Sequence, residues 1–234
     1  MKKLAVLLIA FMAFSCGKEN HNLTVKGHVK GLKKGTVYLE RAQDSILVIA
    51  DSLALTGNSD FELHANIDEP EAFYLRLDRN NTNEKQDKIV FFADKGMTEI
   101  NTTLKNFVFD ATITGSKQQT LYNEYLTVLN RFGDRNLDLI KENLEAKQMG
   151  DSAKIASSER ALTSLLKSKY LYTVNFAVTN NDSEISPYLA LTEIYDAQTK
   201  WLDTINNALT PRIKNSMYGK TLQNFLEERK ASEE

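Results

Sequence analysis

At Gly115 the sequence changes its period, and that change limits the chain to a small set of folds. From Leu23 to Gly115 apolar residues recur at nearly every second position between turn formers. Leu23, Val25 and Val29 alternate with polar neighbours; GLKKG leads into Thr36 to Arg41, where Val37 and Leu39 share one face and Tyr38 takes the other. Ile46 to Leu55 predicts a longer strand, TGNSD at 56 to 60 a turn, and FELHANI at 61 to 67 the next strand. Further strands are expected at 72 to 77, 88 to 93, 97 to 101 and 107 to 114, with DRNNTNEKQDK at 78 to 88 as a polar hairpin loop. About eight short strands at this spacing predict an antiparallel β-sandwich or barrel.

Past Gly115 the period is helical. Ser116 suits an N-cap, and Leu121, Tyr122, Tyr125, Leu126, Leu129 and Phe132 follow at helical spacing. Gly133 is expected to end that helix, Leu137, Ile140 and Leu144 to mark a second, and Gly150-Asp151 to separate it from a third reaching about Val178. Ser186-Pro187 and Thr210-Pro211 each place proline just inside a helix start. Strands first and helices afterwards is an α+β order, not the βαβ alternation of a parallel sheet. With no Pro/Gly/Ser-rich linker at the change, the domains expected are a sandwich at 23–115 and a helical bundle at 116–234 packed on it.

The remaining residues carry an address. Lys2 and Lys3 precede the apolar run Leu4 to Phe14, which is shorter than the ~20 residues that span a bilayer but fits a secretory signal at 1–15. The single cysteine, Cys16, follows Ser15 and is followed by the polar stretch GKENHN. The arrangement resembles a bacterial lipoprotein box, which implies cleavage before Cys16, a diacylglyceryl thioether on its sulfur, a tether at 16–22 and attachment to the cell-envelope membrane. Removing 1–15 drops two of the 29 basic residues and none of the 31 acidic ones, leaving 219 residues at a net −4. A mildly acidic chain has no broad electrostatic attraction to nucleic acid, so no nucleic-acid partner is expected. An acylated Cys16 leaves no thiol for a disulfide, a redox pair or a thiolate metal site.

Recognised catalytic spacings do not occur. Neither H-x-x-x-H, H-E-x-x-H, G-x-S-x-G, a P-loop nor G-x-G-x-x-G can be found, so no catalytic residue, cofactor or metal is assigned. His28 and His64, in two strands, are conceivable metal ligands with a carboxylate, although strand histidines more often face solvent; His21 belongs to the tether. Asp44, Asp51 and Asp60 fall at strand turns where they line one rim for a sugar or cation, or simply bond their own backbone.

LTVKGHVKGLKKGTVYLERA, DFELHANIDEPEAFYLRL, IVFFADKG and ITGSKQQTLYNEY together resemble the domain of unknown function DUF4369. That domain forms the N-terminal region of Bacteroidetes envelope thioredoxin-like proteins of the TlpA and AhpC/TSA type. The helical part, with NNDSEISPYLAL and MYGKTL, is similar to the segment leading into their thioredoxin fold. The CxxC of those proteins has no counterpart in this sequence, so no redox residue transfers. The resemblance implies an accessory module on a lipid tether. Three functions are therefore expected in order: a non-catalytic, lipid-anchored binding or interaction module; an accessory acting in trans with a separate thioredoxin-like disulfide reductase; and a carbohydrate-binding or hydrolytic lipoprotein with a dispersed site.

Overall fold

The computed structural model describes residues 21–43, 46–79 and 87–233. Cys16, the signal segment 1–15, most of the tether and Asp44 lie outside the described residues. Eight strands come first: β1 (Leu23–Lys30), β2 (Lys34–Gln43), β3 (Ile46–Thr56), β4 (Asp60–Ala65), β5 (Glu71–Asp78), β6 (Lys88–Ala93), β7 (Gly96–Thr103) and β8 (Thr112–Thr114). Six helices follow: α1 (Lys117–Met149), α2 (Ser152–Thr179), α3 (Ile185–Thr192), α4 (Thr199–Ala208), α5 (Pro211–Lys214) and α6 (Met217–Glu233).

The strands form two four-stranded sheets, ordered β4-β1-β7-β8 and β3-β2-β5-β6. The α+β order and the open sandwich match the expectation, with one departure: β1 and β7 pair in parallel. Alternation fixes which residues face inward. Leu23, Val25 and Val29 of one sheet meet Val37, Leu39, Phe73, Leu75 and Phe91 of the other in a fully buried core. The register of β2 on β3 shifts after Leu39, leaving Ala50 unpaired. Beside that bulge Asp51 accepts the main-chain N–H of His64 at 2.7 Å, so a side chain from one sheet's edge satisfies the edge strand of the other.

The helices cover the outer face of the second sheet. There Ala72 and Phe92 pack with Tyr122, Tyr125, Ile185, Tyr188 and Leu189, and a separate helical core surrounds Leu202, Ile205 and Leu222. Ser116 caps α1 through its hydroxyl, which accepts from Gln119 N, and Thr210 caps α5 with Pro211 behind it. Two of the helical expectations fail, and the strand expected at 107 to 114 shrinks to β8. The helix runs straight through Gly133 to Met149, because one helix-interior glycine weakens a helix without stopping it. And α3 begins at Ile185, ahead of Ser186-Pro187, since the Ser186 hydroxyl donates to the Ala177 carbonyl of α2 and is not free to cap.

Candidate functional site

Helix length creates the most distinctive surface. At 1.5 Å per residue the 33 residues of α1 extend about 50 Å, roughly twice the reach of an eight-residue strand. Its N-terminal half lies on the sandwich: Gln119 Oε1 accepts from Phe92 N at 2.7 Å, and Tyr122 contacts the Phe92 ring. From Gly133 to Gly150, only Leu139, Asn143 and Ala146 are buried. These face α2, where Asn143 Nδ2 donates to Ser158 Oγ at 2.8 Å. The distal halves of α1 and α2 thus form a two-helix arm.

One apolar row on the arm is bare. Leu137 is 67% exposed, Ile140 40% and Leu144 55%. By helical geometry the row lies about a third of a turn from the face that meets α2. Toward the sandwich it continues through Gly133 and Leu129 into a cavity of about 780 Å³ walled by Phe132, Leu165, Leu166 and, from the β7–β8 turn, Phe109. Phe109 is 93% exposed, whereas Phe107, two residues earlier, is buried in the sandwich core. Asn130, Asp134, Asn136 and Lys169 supply the polar part of the cavity's lining.

A second cavity, of about 580 Å³, opens at the junction of sandwich and helices, between Arg41, Asp68, Glu69 and Glu71 on one side and Leu191, Met217, Tyr218 and Thr221 on the other. Several of its polar groups already have partners. Arg41 donates to Glu71 at 3.2 Å and to the Asn66 carbonyl at 3.1 Å, Glu69 Oε1 accepts from Met217 N at 2.7 Å, and Tyr218 Oη accepts from Ala72 N at 2.9 Å. Burial pushes the Glu71 carboxyl above its ordinary pKa, with the Arg41 charge opposing the shift. This cavity is a seam between domains held by structural pairs.

The strand histidines take the solvent-facing outcome. His28 pairs with Asp60 at 2.7 Å, Nδ1 to Oδ1, on the outer face of the first sheet; four residues along that sheet, His64 lies against Glu62 and stacks with His21 at 5.3 Å between ring centroids. Among the described residues no cluster of three His, Cys, Asp or Glu side chains is arranged to hold a metal ion, and no described helix is long and apolar enough to cross a membrane. Asp51 and Asp60 do not converge: one seals an edge, the other pairs with His28. Sequence reasoning saw Leu137, Ile140 and Leu144 as a helical row but assigned it no neighbour, and it placed Phe109 inside a strand. The legible signal was the length of the row, which outruns the sandwich it must pack on.

An open two-sheet sandwich, one face covered by helices that extend into an arm, defines an α+β fold with a bare apolar row on that arm. Residues 23–122 of the chain match the family model described as Domain of unknown function (DUF4369). The match spans the whole sandwich and the first turns of α1. No curated protein and no solved structure matches the chain.

Proposed function

We propose that this protein is a non-catalytic module of the cell envelope, anchored by a lipid on Cys16, that works by docking a protein segment along its helical arm. The observation that carries the reading is the bare row Leu137, Ile140 and Leu144 running into the cavity beneath Phe109. Such a row fits the helix-in-groove mode, in which anchors at i, i+3 and i+7 supply the affinity. The lipoprotein box supports the anchor, and the resemblance to envelope thioredoxin-like proteins names a separately encoded protein of that type as the first partner to try in trans.

The test has two arms. In cells, Cys16→Ala moves the protein from the membrane fraction to the soluble one; a wild-type protein that is soluble without the substitution removes the anchor. In pull-downs and calorimetry, Leu137→Glu together with Leu144→Glu abolishes partner capture while the circular dichroism spectrum is retained. Retention of binding by that double variant moves the site elsewhere.

A further inference from the structure

The row on α1 is built symmetrically about a point between Asn136 and Leu137: Gly133 and Ile140 stand at equal distances from it, and so do Leu129 and Leu144. The two halves are opposite in relief. The distal half carries the protruding side chains of Ile140 and Leu144. The proximal half has the side chain-free Gly133, around which a Cβ would meet nothing within 4 Å, and the cavity of about 780 Å³ beside Leu129. Nothing in the single chain requires glycine at 133, yet an exposed helix interior there costs about 1 kcal/mol relative to alanine.

From this relief we propose that the occupant of the groove is a second copy of this chain, its arm laid antiparallel on the first about a two-fold axis beside Leu137. The inference rests on reading the arm as a docking surface. In that register Ile140 of each copy sits over Gly133 of the other, and Leu144 enters the cavity beside Leu129 and Phe109. An antiparallel pair also matches charge. Asp134 and Lys141 lie on the same flank of the row, and the antiparallel two-fold brings like flanks together, so the two residues come within two positions of facing one another across the axis and two ion pairs form. Asp134 has no ion pair within its own chain among the described residues, and the Lys141–Glu145 contact there is a long 3.9 Å at the surface. The interface is isologous and closed, as most homodimers are.

The experiment uses the full chain with Cys16→Ala, so that Leu137→Cys carries the only thiol. Oxidation yields a covalent dimer, and the control Arg135→Cys, about half a turn round the helix from the row and exposed, yields none. Sedimentation of the parent chain gives a dimer, and Gly133→Leu, which fills the hollow and raises helix propensity, weakens the dimer at least about tenfold without lowering the melting temperature of the diluted monomer. Exchanging charges discriminates further: Asp134→Lys and Lys141→Asp each weaken the dimer, and the double exchange restores it. A chain that sediments as a monomer throughout the micromolar range, or equal cross-linking at 135 and 137, overturns the second copy as occupant. A monomer that still binds another protein through Leu137 and Leu144 does so as well, while leaving the docking role of the arm intact.

Discussion

Two buried glutamates on neighbouring strands have opposite electrostatics. Glu40 is 5% exposed on the outer face of its sheet, where Arg76 Nε donates to one oxygen at 2.5 Å and Lys88 Nζ to the other at 2.8 Å. Burial works to raise its pKa, but the Lys88 and Arg76 bonds outweigh it and hold the carboxyl below the ordinary 4.5. The Arg76 guanidinium is itself fixed over the Tyr38 ring, 3.9 Å from the centroid. A carboxyl with a lowered folded pKa binds fewer protons in the native state, so its stabilisation is present above 4.5 and is lost as pH falls through the folded value. Glu71 behaves in the opposite sense: its raised pKa means that the contribution declines as pH rises out of the carboxylate range. Glu40→Gln should cost about 2–3 kcal/mol at pH 7, somewhat less than a fully buried pair because Lys88 is partly open to water. Urea melts at pH 7 and pH 3.5 check it, since the gap from wild type should shrink in acid; an equal gap at both values would refute the ion triad. The sequence alone shows a charge in a strand, which reads as solvent-facing. Its partners arrive from residues 36 and 48 positions away, and no local pattern announces them.

Glycine illustrates how differently elements use one residue type. Gly133 was expected to stop a helix and instead lies within it, facing open space, whereas Gly219 lies in the first turn of α6 where a Cβ would run into the Ile213 carbonyl of α5. Gly115, at φ +113°, turns the chain from β8 toward α1 with the Met97 carbonyl directly behind it. Gly219→Ala must therefore push two helices apart, and a loss of about 2 kcal/mol or more is expected. Gly133→Ala in dilute, monomeric protein should gain up to about 1 kcal/mol. Thermal melts of the two variants decide the matter: shifts of the same sign would show that the close approach at the α5–α6 corner is softer than its geometry indicates. Helix starts were legible where a side chain caps its own turn, as at Ser116 and Thr210. They were misplaced at α3 because Ser186 is recruited by a carbonyl nine residues back.

At the scale of the molecule the strands-then-helices order was readable from the change of period, and the absence of a linker pointed to packing between the two blocks. How they pack was not readable, because the aromatic residues that join them are spread from Phe92 to Tyr218. Phe92 stands at the centre, in edge contact with Tyr188 at 4.8 Å and Tyr122 at 5.9 Å, with Tyr218 alongside. Both Tyr122 and Tyr188 are buried, which pushes the Tyr122 hydroxyl up to about 12 and raises Tyr188 still further. Two main-chain donors of the sheet, Phe92 N and Ala72 N, end on Gln119 and Tyr218, so separating the blocks would strand them unless water entered. The seam should therefore make sandwich and helices unfold as one unit. Trp201, the lone tryptophan, reports on the helical core through fluorescence, and amide exchange along β1 and β5 reports on the sandwich. In the wild type the two signals should give the same unfolding free energy. Phe92→Ala should lower stability by about 3–5 kcal/mol and pull the two values apart, because it removes the ring that both blocks share. Different values already present in the wild type would mean that the blocks are held together by proximity and not by the aromatic seam.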